Sequence, residues 1–112
     1  METHLDTEAV TALMAALSDP TRLGALRLLW DGREHCVCEL MERLSATQSR
    51  MSRHMAALKG VGLVVDRREA QWVRYRRNPA LAPAVTAIVD AVLAALPAGK
   101  TAGGLAGGLE AA

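Results

Sequence analysis

The sequence predicts a mainly α-helical, dimeric domain with one small β-hairpin, and three observations carry that prediction. The chain has 112 residues, 51% of them apolar, with two Trp, one Tyr and no Phe. A core of Ala, Leu, Val and Met suits packed helices better than a sandwich of short strands. Only two runs, residues 63–68 and 71–77, are β-prone, and they are adjacent. Residues 84–96 form a helix almost without charge, too apolar to be left in water, which implies a second copy against it.

The elements follow in order. Residues 7–17 are rich in Ala, Leu and Met with no breaker and read as a first helix. Ser18-Asp19-Pro20 stops it and starts another, with Asp19 as cap and Pro20 in the first turn, where no amide hydrogen is needed. Leu23, Leu26 and Trp30 continue the second helix to Gly32. A short third helix runs from about Cys36 to Leu44, and Ser45-Ala46 makes a turn. Thr47 caps a fourth helix reaching Lys59 and closing at Gly60 and Gly62.

That fourth helix carries two stripes. Met51, Met55 and Leu58 face the core, while Arg50, Arg53, His54 and Ala57 line another face, with Gln48 and Ser49 at the exposed first turn. A basic helix behind a tight turn from a short helix is the pattern of a helix-turn-helix reader. The hairpin that follows, turning at Glu69-Ala70, puts Arg67, Arg68 and Arg74 near its tip, as a wing would. Its turn lacks the Gly or Asn that a two-residue loop prefers. Trp30 and Trp72 read as core residues, as do Met14, Met51 and Met55. The expected domain is a winged helix-turn-helix over residues 1–96 that binds DNA and dimerises through its first and last helices. Residues 97–112, with two Gly-Gly pairs, read as a disordered tail.

Charge supports the same division. Between residues 48 and 77 eight basic residues face two acidic ones, while the rest of the chain is net acidic, although the formal total is +1. One face is thereby suited to a polyanion. No apolar run approaches the length of a membrane span, and the first residues resemble no secretory signal. The expectation is a cytoplasmic chain without a membrane partner, in which Cys36 and Cys38 are reduced thiols.

Residues 16–23 (ALSDPTRL), 35–40 (HCVCEL) and 48–63 (QSRMSRHMAALKGVGL), with Asp66-Arg67-Arg68 and Trp72-Val73-Arg74-Tyr75, resemble the ArsR/SmtB family of metal-responsive winged-helix repressors. The likeness covers roughly residues 8 to 96, and the Cys-Val-Cys-Glu-Leu segment resembles the arsenic-responsive branch in particular. The resemblance implies an apo dimer on double-stranded operator DNA that is released when As(III) or Sb(III) binds. Gln48 and Ser49 are then expected to read base edges, and Arg50 and Arg53 to contact bases or phosphate. Ser52 and His54 belong to the same surface, and Arg67, Arg68 and Arg74 reach phosphate or the minor groove.

Trivalent arsenic and antimony are soft, so the paired thiolates of Cys36 and Cys38 are the expected metal ligands. On a regular helix two such residues point about 200° apart, so both sulfurs gripping one ion requires the first turn to unwind. The family's arsenic motif commonly continues to a third cysteine, and here that position is Met41. His35, water or a small thiol remain open as a third ligand, although His35 reads first as a surface residue. The cadmium and lead sensors' N-terminal cysteines are missing, and the last helix offers Asp90 but no His for a zinc site. A redox- or persulfide-sensing repressor using the same cysteines is the alternative. No βαβ pattern or acid/base cluster accompanies the pair, so neither an enzyme nor a catalytic cofactor is expected.

Overall fold

The computed structural model of the chain describes residues 4–97. Five helices and three short strands follow one another as α1 (Thr7–Leu17), α2 (Pro20–Leu29), β1 (His35–Cys36), α3 (Val37–Leu44), α4 (Gln48–Gly60), β2 (Val64–Glu69), β3 (Trp72–Arg77) and α5 (Pro83–Ala95). Most of the expected tail, residues 98–112, lies outside the described residues.

The caps explain the helix starts. Asp19 takes an extended backbone and its carboxylate accepts the Arg22 amide hydrogen at 3.0 Å, with Pro20 in the first turn. Thr47 does the same for α4, its hydroxyl accepting from the Arg50 amide. Between α3 and α4 the chain reverses at Ser45, which takes a left-handed φ of 55°. A polar residue tolerates that conformation better than a branched one.

The core lies where α2, α3 and α4 meet the sheet. Leu26, Leu29, Leu40, Met51, Met55, Leu58, Leu63, Val64 and Val89 are fully buried, each such side chain contributing ~1.5–3 kcal/mol. Gly24 lets α2 and α3 approach closely: a Cβ there would stand 2.7 Å from Leu44 Cδ2. Arg22 reaches back to the open end of α1, donating from Nε to the Ala16 carbonyl at 2.6 Å and from Nη2 to the Ala15 carbonyl at 3.1 Å.

The sheet departs from expectation. It has three antiparallel strands in the order β1-β3-β2, so the hairpin is joined by a strand of two residues preceding α3. Cys36 belongs to that strand, and the third helix starts one residue later than predicted. The hairpin turns at Ala70-Gln71, with Ala70 at φ 56°, because Glu69 pairs with Trp72.

Two further expectations fail on burial. Met14 is 43% and Trp72 39% exposed, so neither is a core residue. Trp72 sits at the tip of the wing, paired with Glu69 beside the hairpin turn. Met14 lies on α1 at the edge of the buried stripe of Leu13, Ala16 and Leu17, beside exposed Ala15. Trp30 is half-buried at the end of α2, where its Nε1 donates to Asp90 on α5 at 2.6 Å and Arg77 lies over its ring at 4.1 Å. Along α5 only Val89 is fully buried; Val85, Ile88, Val92 and Leu93 are partly covered. No helix among the described residues is long and apolar enough to cross a membrane.

Candidate functional site

The first surface is built on α4. Met51, Met55 and Leu58 are wholly buried and fix the helix against α3 and the sheet. Gln48, Ser49, Arg50, Ser52 and Arg53 are all exposed on the remaining faces of its first two turns. Neither Arg50 nor Arg53 makes an ion pair among the described residues. His54 does not share that surface. It is half-buried, with Nδ1 3.2 Å from Arg22 Nη1 and 3.7 Å from Asp19 Oδ2, and it ties α4 to the start of α2. Sequence spacing places His54 one turn beyond Arg50, but α2 packs against that side of the helix.

The second surface is the wing, and its charge is largely spoken for. Arg67 donates to Glu34 from Nε at 2.8 Å and from Nη2 at 2.7 Å. This two-pronged pair holds the Glu34 carboxyl below the usual glutamate range, against a smaller opposing effect of desolvation, and raises Arg67. Arg74 donates to Glu69, which also lies 3.6 Å from Arg67. Arg68 and Arg76 make no ion pair among the described residues. Cross-strand partners share a face of a sheet, so Arg67 and Arg74 stand together on one face. Arg68 stands opposite Val73 on the other.

The third component is the cysteine pair, where the structure corrects two expectations. The sulfurs of Cys36 and Cys38 are joined as a disulfide rather than held as two thiols. The expected 200° divergence does not arise, because Cys36 lies outside the helix. Its backbone is extended (φ −67°, ψ 144°), it caps α3 by accepting the Cys38 amide hydrogen at 3.2 Å, and the two Cα atoms are 5.1 Å apart. That separation lies within the range a disulfide spans. The sulfurs therefore converge on one point while α3 stays intact from Val37 onward.

The surroundings set the donor count. Met41 is partly buried against the core. His35 is no surface residue: its side chain is 11% exposed, with Nδ1 3.0 Å from Glu39 and Nε2 3.3 Å from Asp31. Burial raises the Asp31 carboxyl, but hydrogen bonds from Arg33 and His35 outweigh it and leave Asp31 below its ordinary value. Among the described residues no cluster of three His, Cys, Asp or Glu side chains is placed to hold a metal ion. Reduced to thiolates, the two convergent sulfurs would be a pair of soft donors, which suits a thiophilic ion in its donor chemistry and leaves further ligands to come from outside.

Sequence reasoning missed Glu34 and the strand that follows it. Their only sequence signal was an acidic residue directly before a β-compatible His-Cys-Val triplet.

Comparison with known proteins places these surfaces in context. The family model described as bacterial regulatory protein, arsR family, matches residues 19–65. The chain is 50% identical over 66 residues to the arsenic resistance transcriptional regulator ArsR2 of Pseudomonas putida, covering 59% of this chain and 57% of that one. It is 45% identical over 67 residues to the arsenical resistance operon repressor of Escherichia coli, covering 60% and 57%. The chain thus spans a little over half the length of these relatives. Among solved structures, reduced HlyU from Vibrio cholerae is similar with a TM-score of 0.65 and 35% identity, over 77% of this chain and 86% of that one. The homodimeric winged helix-turn-helix DNA-binding domain of Mb0332 from Mycobacterium bovis is similar with a TM-score of 0.65 and 27% identity, over 84% and 88%.

Proposed function

The chain belongs to the arsR family of bacterial regulatory proteins, and from that premise we propose that it is a transcriptional repressor. In this reading a homodimer holds operator DNA and lets go when Cys36 and Cys38 bind As(III) or Sb(III). The observation that carries the proposal is the position of the cysteine pair. Cys38 lies in the first turn of α3, the helix that leads into α4, and Cys36 lies in the strand that completes the wing sheet. A ligand shared by both sulfurs acts at the joint between the two surfaces that would touch DNA.

On α4, Gln48 and Ser49 read base edges, while Arg50, Ser52 and Arg53 contact bases or phosphate. His54 supports the helix from behind. In the wing, Arg68 supplies a free phosphate contact, and Arg67 and Arg74 supply theirs once released from their carboxylates. Two copies of α4 would enter successive major grooves about one helical turn apart. The partly covered residues of α5, with exposed Met14 on α1, support a second copy as the cover for that face. By linkage, the factor by which the metalloid weakens DNA binding equals the factor by which DNA weakens metalloid binding.

A second reading is favoured by the sulfur–sulfur bond itself. A peroxide would oxidise the two thiols to the disulfide, taking both hydrogens and leaving as two waters, and closure of the pair would replace the metalloid as the signal.

Anaerobic fluorescence anisotropy with the protein's own promoter fragment separates the two. As(III), Sb(III), Cd(II) and Zn(II) are titrated against reduced wild type and a Cys36→Ser/Cys38→Ser variant. Release by As(III) or Sb(III) alone, lost in the variant, is the expected result. Release only by peroxide, reversed by dithiothreitol, would replace the metalloid reading with the redox one. Absence of DNA binding would overturn the repressor reading.

A further inference from the structure

Two of the wing's arginines are withheld by acids, and the acid that holds its arginine with two hydrogen bonds, Glu34, lies two residues before Cys36. We propose that Glu34 is the positioning residue through which Cys36 and Cys38 govern the wing. When the two sulfurs are held together, Glu34 keeps Arg67 from phosphate. When they part, Arg67 is free to bind it. The inference rests on the DNA-binding reading above and adds to it a route from the cysteines that bypasses α4.

Three features of the sheet carry it. Cys36 is the Cα partner of Arg74, and Arg74 is the partner of Arg67, so the three residues stand in one file across β1, β3 and β2 on a single face. Glu34 lies two residues before Cys36 and spans β3 to reach Arg67 with both carboxylate oxygens, at 2.7 and 2.8 Å. Strand β1 is only two residues long and runs directly into the helix that carries Cys38. Whatever fixes Cys36 relative to Cys38 therefore also fixes the backbone that presents Glu34.

The structure holds these features together in one state. Its sulfurs are joined, and in the same state Arg67 is held by Glu34 through two hydrogen bonds while Glu69 takes Arg74. An operator phosphate competes with Glu34 for the same guanidinium edge, because both present two oxygens that two parallel N–H donors recognise. Their contest is a local equilibrium that DNA and the cysteine ligand push in opposite directions.

The test is Glu34→Gln, compared with wild type, Arg67→Gln and the double variant, in anaerobic anisotropy across a salt series with and without As(III). Glu34→Gln is expected to leave the metalloid-free protein, whose sulfurs are apart, nearly unchanged, and to tighten DNA binding of the As(III)-loaded protein about threefold to tenfold, steepening its salt dependence by about one phosphate contact. As(III) should then release it less completely than wild type. In the Arg67→Gln background the same change should have no effect, since the pair acts as a unit. Glu34→Asp, which keeps the carboxylate, should restore the wild-type response. Affinity and salt slope of the As(III)-loaded protein unchanged in Glu34→Gln would overturn the inference, and so would weakened binding, which would make Glu34 a support for Arg67 rather than a restraint. A wild type that binds DNA but ignores As(III) removes the metalloid reading, and the same series is then run with peroxide. A wild type that never binds DNA overturns the repressor function and this inference together.

Discussion

The α4 helix and the wing carry similar positive charge in different condition. On α4, Arg50 and Arg53 project from a helix whose opposite face is wholly buried, and among the described residues no acid engages them. In the wing, Arg67 and Arg74 are occupied by Glu34 and Glu69 and Arg77 lies on Trp30, so among the described residues Arg68 and Arg76 are the wing arginines without an ion pair or such a contact. Charge count alone would rank the two regions as equals. Availability separates them: on the proposed reading α4 is ready to meet DNA at all times, whereas two of the wing's five arginines must first be released from acids. A regulator gains from that division, because the rigid part can hold register while the conditional part sets occupancy.

The comparison can be broken most severely from beneath. Met55→Ala removes a fully buried side chain under α4 and should cost ~2–5 kcal/mol of stability, read by chemical denaturation. The wing is expected to lose its footing along with the helix, so a variant that unfolds α4 alone would contradict a shared core. Next come the free arginines of the helix. Arg53→Ala should weaken operator binding by ~1–3 kcal/mol, and Gln48→Ala should change which sequence is preferred, both read by anisotropy on operator and scrambled duplexes. In the wing, Arg68→Ala should weaken all sequences alike and lower the salt slope by about one. With the two sulfurs held together, Arg67→Ala should cost less than Arg68→Ala, since its guanidinium is then engaged; equal costs in that state would erase the distinction between held and free arginines. The smallest effect is expected at the hairpin tip. Ala70 holds a φ of 56°, so Ala70→Gly should stabilise the fold by ~0.5–1 kcal/mol without altering DNA binding, as thermal unfolding would show.

Local signals made most of this legible in advance. The first helix falls on the predicted residues, and Asp19-Pro20 and Thr47 start their helices as expected because a cap needs only its own neighbours. The buried stripe of α4 followed from helical spacing. What the sequence concealed depends on distant partners. A two-residue strand has no periodicity to detect, and β1 exists because β3 offers it an edge. Cys36 therefore looked helical, and the sulfurs looked divergent. His35 and His54 looked solvent-facing because their partners, Asp31 and Glu39 in one case and Arg22 and Asp19 in the other, are set by how helices cross and chains turn. The pairing of Arg67 with Glu34, thirty-three residues away, lay beyond any local pattern.

The central claim is that the cysteine pair sits at the joint of the two DNA-facing regions, so that its occupancy is felt by both. Hydrogen exchange on the reduced protein, with and without As(III), tests this most directly. Altered protection should appear in the first turn of α3 and also in β1 and the facing amides of β3, with α1 unchanged. A change confined to the first turn of α3, with β3 exchanging as before, would contradict it.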